Sequence, residues 1–427
     1  MSDVVKRALR SPVFWILLFG TLLRLALAPV TEDPWDLRVW KLVGEAMDGG
    51  QSPYAIESEL PFAYPPLWSI FCWLGYVAFK LSGSQWVFNL ALKLPLILAD
   101  LACALLLWRL VLRVSASRRT ALTVMAAYFL NPIAIAVSSL WGMFDALPAL
   151  LVLVSILLLA DGRDVCSGLV LGVSAGFKGF YTAFYLPFFV FYVWKRERNL
   201  TVPLRYALCF CLVPLAISLP FLLTDARSYL AVFATHATRP PQNLNVGYWL
   251  WRVINPDLRD RLGLPTTYAF AVLFPLLYLA VLPWKEDGAR RWTAAGMCRW
   301  RWSDRLAFLV KGAALLCLAY YATSKVVNEQ FLVWGLALLA LYGWLYDPRA
   351  KPFFYALCLI DLVFISLNAG PHFFHHLVAP PAWWYEGSRF FPRILGWLGL
   401  IFWLTVVACF VTLMRGGERC TSTRPSN

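Results

Sequence analysis

Two carboxylates three residues apart, Asp33 and Asp36, stand in the stretch Thr31-Glu-Asp-Pro-Trp-Asp-Leu-Arg-Val-Trp40, just after the first hydrophobic run. Transfer of a group to an alcohol needs a base for the hydroxyl proton and cations for a departing phosphate. In a helix entered around Pro34 the two acids fall on neighbouring positions of one face. The plainer reading of Asp36 is that it N-caps a helix over 37–47, a role aspartate commonly fills. Both readings stand on the sequence.

The cations are sought next, because an ionisable group inside a membrane is costly and points to function by default. Lys178, near an outer turn, and Lys325, at an outer helix end, are within reach of a lipid headgroup phosphate. Arg239, in the run His236-Ala-Thr-Arg-Pro-Pro-Gln-Asn243, offers a planar fork for a second phosphate contact. The alternative for that run is a Pro-stiffened connector. Lys93 and Asp100, two helical turns apart, either pair with each other or serve different partners. Arg24, Lys311 and Asp361 complete the set, and Arg109 is read as snorkelling to the inner surface. His372, His375 and His376 lack a neighbouring acid or cysteine, so they read as a wet loop rather than a metal site.

The elements that must position these residues are membrane helices. The chain is 60% hydrophobic and only 15% charged, against about 25% charged in soluble proteins. Apolar runs of roughly 17–25 residues recur along its length, which fits one helical bundle in lipid and not a barrel of alternating strands. The formal net charge of +14 is spread between hydrophobic runs rather than gathered on a soluble face, so nucleic acid is not read as a partner. The ten cysteines show no paired spacing, and neither a disulfide framework nor a zinc site is read from them. Ala26-Leu-Ala28 resembles a signal-peptidase site, but Pro29 follows it, so the first run is kept as a span.

The expected fold is therefore all-α, a polytopic bundle of about 12 spans forming a single domain over 1–427. Basic segments set its orientation, with both termini cytoplasmic and a cytoplasmic tail over 415–427. On this count the apolar run 64–82 lies along the outer surface, making 31–87 a structured outer loop with amphipathic helices. The run 167–194 is too long for one crossing and carries Lys178 at its centre. It is expected to form two short helices that enter and return, with Phe177-Lys178-Gly179 near the turn. The outer face also carries Ser139 to Asp145, 223–265, 370–393 and the turn from Ser324 to Gln330.

These motifs, in this order, resemble the GT-C integral-membrane glycosyltransferases, particularly polyprenyl-phosphate-sugar-dependent mannosyltransferases related to the GPI mannosyltransferases. The matching pieces are Asp36-Leu-Arg-Val-Trp40, Gly50-Gln-Ser-Pro-Tyr54, Tyr64-Pro-Pro-Leu67, Leu96-Ile-Leu-Ala-Asp100 and Asn131-Pro132. Trp141-Gly-Met-Phe-Asp145, Gly176-Phe-Lys178 leading to Pro187, and Lys325-Val326 with Gln330-Phe331 continue the set, which covers most of 12–340. The resemblance implies an acidic base in the first outer loop and a lipid-phosphate sugar as donor. Bacterial and GPI-type patterns place the base at Asp36, four residues before Trp40. The glucosyltransferases of N-glycan assembly place it at Asp33, and carry a histidine where Asn328 stands.

The expected function is a membrane hexosyltransferase, with mannose the leading sugar, drawing on a polyprenyl- or dolichyl-phosphate donor. The acceptor is a lipid-linked glycan, a protein or another molecule on the outer or luminal side. Asp36, or Asp33, acts as base in an inverting displacement; Lys178, Lys325 and Arg239 bind the donor phosphate; Tyr64, Asp145, Gln330 and Asn328 support the site. No cofactor is required, although Asp33 and Asp36 could hold a divalent metal. The expected location is a prokaryotic cell membrane, or the endoplasmic reticulum in a eukaryote. The rival from another class is a lipid or solute transporter, for which inverted repeats and broken helices would be the mark.

Overall fold

A computed structural model describes residues 10–56, 62–282, 301–375 and 390–415. Lys6, Arg7, His376 and the expected tail beyond Arg415 lie outside the described residues. Within them the architecture is helical throughout, save one parallel pairing of the two-residue strands Gln242–Asn243 and Val326–Val327. This is a multi-pass membrane fold.

Six helices are long and apolar enough to cross a bilayer: Gln85–Ser115, Thr201–Ala231, Gly263–Val281, Trp302–Thr323, Ala350–Asn368 and Pro392–Arg415. Arg118–Phe129 with Pro132–Trp141, bent by 43°, makes a seventh if the pair is one span. The other apolar helices are short. Ala146–Ala160, for example, has 15 residues, a rise of about 22 Å against a hydrocarbon core of about 30 Å. The expected twelve crossings therefore draw on runs that hydropathy detects but that fold into helices shorter than the bilayer.

The first loop contains the two helices expected of it. Asp36–Asp48 is amphipathic, burying Leu37, Val39, Trp40, Val43 and Ala46. It lies against Leu67–Ser82, and the approach is close enough that a Cβ on Gly44 would sit 2.4 Å from the Cys72 carbonyl oxygen. That packing fixes where the helix start, with its acid, can lie.

The long run around Lys178 breaks as the charges require. Asp164–Phe177 ends at Lys178, whose φ of −139° and ψ of 85° leave the helical region, and Gly179–Ala183 and Tyr185–Glu197 resume beyond it. By contrast, the crossing expected over 204–222 does not give way to an outer loop at 223. The helix Thr201–Thr238 runs on past a kink at Asp225 (φ −152°, ψ 65°). The Asp225 carboxylate accepts the Ser228 backbone N–H at 3.2 Å, restarting the helix as a cap. His236 accordingly occupies a last helical turn rather than a loop.

Lys93 and Asp100 serve different partners. Asp100 pairs with Arg24 at 3.1 Å, both fully buried, and also accepts from the Tyr128 hydroxyl at 2.9 Å. This pair pins the first helix, Pro12–Leu27, to Gln85–Ser115. The outward faces of Thr201–Ala231 and Gly263–Val281 remain uncovered, with Leu204, Leu208, Leu212, Leu215 and Leu219 exposed along the former. Such a row is a lipid-facing surface.

Candidate active site

Asp33, not Asp36, caps the first-loop helix. Its Oδ1 accepts the backbone N–H groups of Trp35 at 3.1 Å and Asp36 at 3.0 Å, and its carbonyl accepts from Leu37. Asp36 is thereby released from the capping role that the sequence alone offered it. Its Oδ2 accepts the Trp141 indole N–H at 2.7 Å, and among the described residues its other oxygen accepts nothing.

The two acids titrate together, and their surroundings differ. Asp33 is raised to about 7, first by burial and then by the neighbouring Asp36 charge. Asp36 is also raised by burial, but the Trp141 hydrogen bond and the charges of Lys178 and Arg239 pull it back down. Asp33 instead meets the charges of Asp36 and Glu329, which raise it further, while its two backbone N–H bonds pull it down. A proton retained by the pair near neutrality therefore belongs on Asp33, leaving Asp36 ionised and basic.

That division gives a test. Asp33→Asn keeps a good capping side chain, so stability should hold, whereas Asp33→Ala should lose about 1 kcal/mol. Asp33 is already neutral where Asp36 titrates, so Asp33→Asn should leave the acid limb of the pH–rate profile in place while turnover persists. Thermal unfolding and a pH–rate series on the two variants check both statements.

Opposite Asp36 stands a buried ion pair. Lys178 donates to Asp145 Oδ1 at 2.6 Å, with side chains 6% and 0% exposed. The same Oδ1 accepts the Trp334 indole N–H at 2.5 Å, while Oδ2 is buried without a partner. Four rings enclose the ammonium, those of Phe144, Phe331, Trp334 and Tyr64, at 5.0, 5.2, 5.3 and 5.6 Å. Tyr64 packs on Phe144 and Trp40, and burial beside Asp36 and Asp145 pushes its phenol up, so it stays protonated. Asp145 is placed at the start of Ala146–Ala160, and Lys178 at the break after Phe177. A helix start and a helix break thus bring the pair together.

Arg239 sits where its charge acts on Asp36, Tyr64, His236 and Lys325. It donates to Gln242 at 2.6 Å, just ahead of the short strand. That strand receives Lys325: the Lys325 carbonyl accepts from Gln242 N–H at 2.9 Å. The Lys325 ammonium donates to the Gly263 carbonyl at 3.2 Å and the Thr267 hydroxyl at 2.7 Å. Burial, then Arg239, pushes it down to about 8. Lys325 therefore neighbours Arg239 rather than the Lys178–Asp145 pair. His236 contacts the Ala63 carbonyl at 3.0 Å, tying the end of its helix to the first loop.

The turn after Val327 carries an acid that sequence reading passed over. Glu329, fully buried, accepts from Asn368 at 2.5 Å and Asn243 at 2.9 Å, and burial raises it. Asn243, in the left-handed region at φ 59°, also donates to Asn328 at 3.1 Å. Gln330 is buried with its side-chain oxygen unpartnered among the described residues. Trp141 and Trp334 were missed as well. Trp141 was within reach, because it opens the Trp141-Gly-Met-Phe-Asp145 motif; nothing local marks Trp334. Among the described residues no group of three or more His, Cys, Asp or Glu could hold a metal.

No family model matches the sequence, and no curated protein matches it. Its fold is similar to that of ArnT from Cupriavidus metallidurans, in a crystal structure bound to undecaprenyl phosphate. The identity is 16%, the TM-score 0.51, and the match covers 95% of this chain and 77% of that one. The apo crystal structure of the same protein matches at 16% identity and TM-score 0.51, over 94% of this chain and 76% of that one. At that identity the likeness is one of fold: the chain shares its polytopic architecture with a protein crystallised on a polyprenyl phosphate.

Proposed function

We propose that this protein is a membrane glycosyltransferase that moves a hexose, mannose before other sugars, from a polyprenyl- or dolichyl-phosphate carrier to an acceptor hydroxyl on the outer face. The observation that carries the reading is Asp36: an uncapped carboxylate raised by burial, held by one indole N–H, and facing the cations Lys178 and Arg239. The ArnT fold and the ordered GT-C motifs of the sequence support a lipid-phosphate donor.

The chemistry is a single displacement. Asp36 takes the proton of the acceptor hydroxyl as its oxygen bonds to the anomeric carbon. The bond from that carbon to the phosphate oxygen breaks, and its electron pair leaves with the lipid phosphate. Arg239 and Lys178 neutralise the charge that develops there, and Lys325 extends the cationic side beyond Arg239. Asp145 and the four rings hold Lys178, and Tyr64, Asn328 and Gln330 support the site. The scheme runs without a metal, since the leaving group needs only its charge matched.

Arg239→Gln follows from this arrangement. Losing a cation beside Asp36 disfavours the ionised carboxylate, so the acid limb of the pH–rate profile should move to higher pH. Asp33→Asn should leave the limb in place, and with Arg239→Gln donor affinity should fall as well. An unmoved limb would place Arg239 away from the base. The function itself is tested by giving purified protein in vesicles a panel of polyprenyl-phosphate hexoses and analysing extracted products by mass. A hexose added to an acceptor supports the reading; intact donor in every case contradicts it.

A further inference from the structure

Lys93 is fully buried, yet among the described residues it forms no ion pair. Its ammonium instead faces five oxygens: the carbonyls of Ala28 at 3.1 Å, Thr31 at 2.5 Å, Ser139 at 3.0 Å and Leu140 at 3.0 Å, with the Thr31 hydroxyl at 3.2 Å. Three N–H groups shared among so many acceptors make it a covalently tethered cation at the meeting point of two chain segments.

The two segments are the ones that place Asp36. Ala28 and Thr31 lead directly into Asp33 and the capped start of Asp36–Asp48. Ser139 and Leu140 belong to the wide turn Ala136–Trp141, whose last residue is the Trp141 that holds Asp36. That turn ends at Gly142, φ 92°, so its last carbonyls have no helix to continue into and present negative ends. A Cβ on Gly142 would sit 3.0 Å from Leu37 and 3.1 Å from Lys93 Cε. The Thr31 hydroxyl adds a direct bond to the Ser139 carbonyl at 3.0 Å. The donor-side cations Lys178 and Arg239 come from other elements.

We infer that Lys93 is a positioning residue for the base: it clamps the carbonyls on both sides of Asp36 so that the carboxylate and its Trp141 donor keep one geometry. The inference rests on the reading of Asp36 as base. Its effect belongs on turnover and not on donor binding, because misplacing a reacting group by about 1 Å costs on the order of 100-fold in rate.

The test is Lys93→Met, which keeps the stem and removes the ammonium, alone and with Trp141→Phe. We expect kcat to fall about 100-fold with donor affinity unchanged, and the double variant to be no slower than Lys93→Met alone. Wild-type kcat, a parallel loss of donor affinity, or losses that multiply in the double variant would each overturn it. If Lys93→Met does not fold, Thr31→Val removes only a hydroxyl of the same clamp and is held to the same criteria. Asp36→Asn run alongside separates the two claims. If Asp36→Asn turns over at the wild-type rate, the base assignment fails; if it is slowed about 10²–10⁴-fold while Lys93→Met is fully active, only the clamp fails.

Discussion

Lys178→Met is expected to cost about 3–5 kcal/mol of stability and to abolish tight donor binding together. The pair it breaks is buried on both sides, and the substitution strands the Asp145 carboxylate, whose Oδ2 already lacks a partner. Removing one member of such a pair is far costlier than removing both, since replacing a buried pair by uncharged groups of similar size is close to neutral. The double variant Lys178→Met with Asp145→Asn should therefore recover most of the lost stability. It should not recover donor binding, because no cation returns to meet the phosphate. Thermal unfolding in detergent and titration with a labelled lipid phosphate separate these effects. Restored binding in the double variant would show that Lys178 serves only the fold.

Asp36→Asn should lower transfer by about 10²–10⁴-fold, the range that a positioned acid or base contributes. The amide oxygen can still accept the Trp141 N–H, so the local geometry is retained and donor affinity should be unchanged. Asp33→Asn is the matched comparison: the same carboxyl-to-amide change, three residues away, at a side chain whose oxygen is committed to the helix cap. Single-turnover rates on both variants, with stability measured in parallel, give the ranking. Equal rates would remove Asp36 from the base role.

The choice between these two aspartates shows how far the sequence reaches. Pro34 and the polarity of 31–36 mark a helix start, but several residues near such a start can cap it. Which one does depends on the backbone path, and that path is set by Lys93 and Asn89 gripping Thr31 and by Gly44 packing on Cys72. The break at Lys178 was legible because a charge in the middle of an apolar run is too costly to ignore. Its partner was not: Asp145 lies 33 residues earlier, and only the fold places the two at 2.6 Å.

Other features were hidden for similar reasons. Trp334 and Trp141 are ordinary aromatic residues in apolar runs until their indole N–H groups are seen aimed at carboxylates. Glu329 looks like one more polar residue in a turn, and its burial follows from Asn243 and Asn368, which arrive from distant segments. Helix lengths were hidden too, because hydropathy measures composition over a window. It does not see where a run bends or ends.

The most direct measurement reconstitutes wild-type and Asp36→Asn protein in vesicles with a labelled polyprenyl-phosphate hexose, then follows the label by extraction and mass analysis. Our account expects labelled, sugar-extended acceptor from the wild-type protein and about 10²–10⁴-fold slower formation of it by Asp36→Asn, with equal donor binding by the two. Label that crosses the bilayer still joined to its lipid phosphate, with no extended acceptor from either protein, would contradict it.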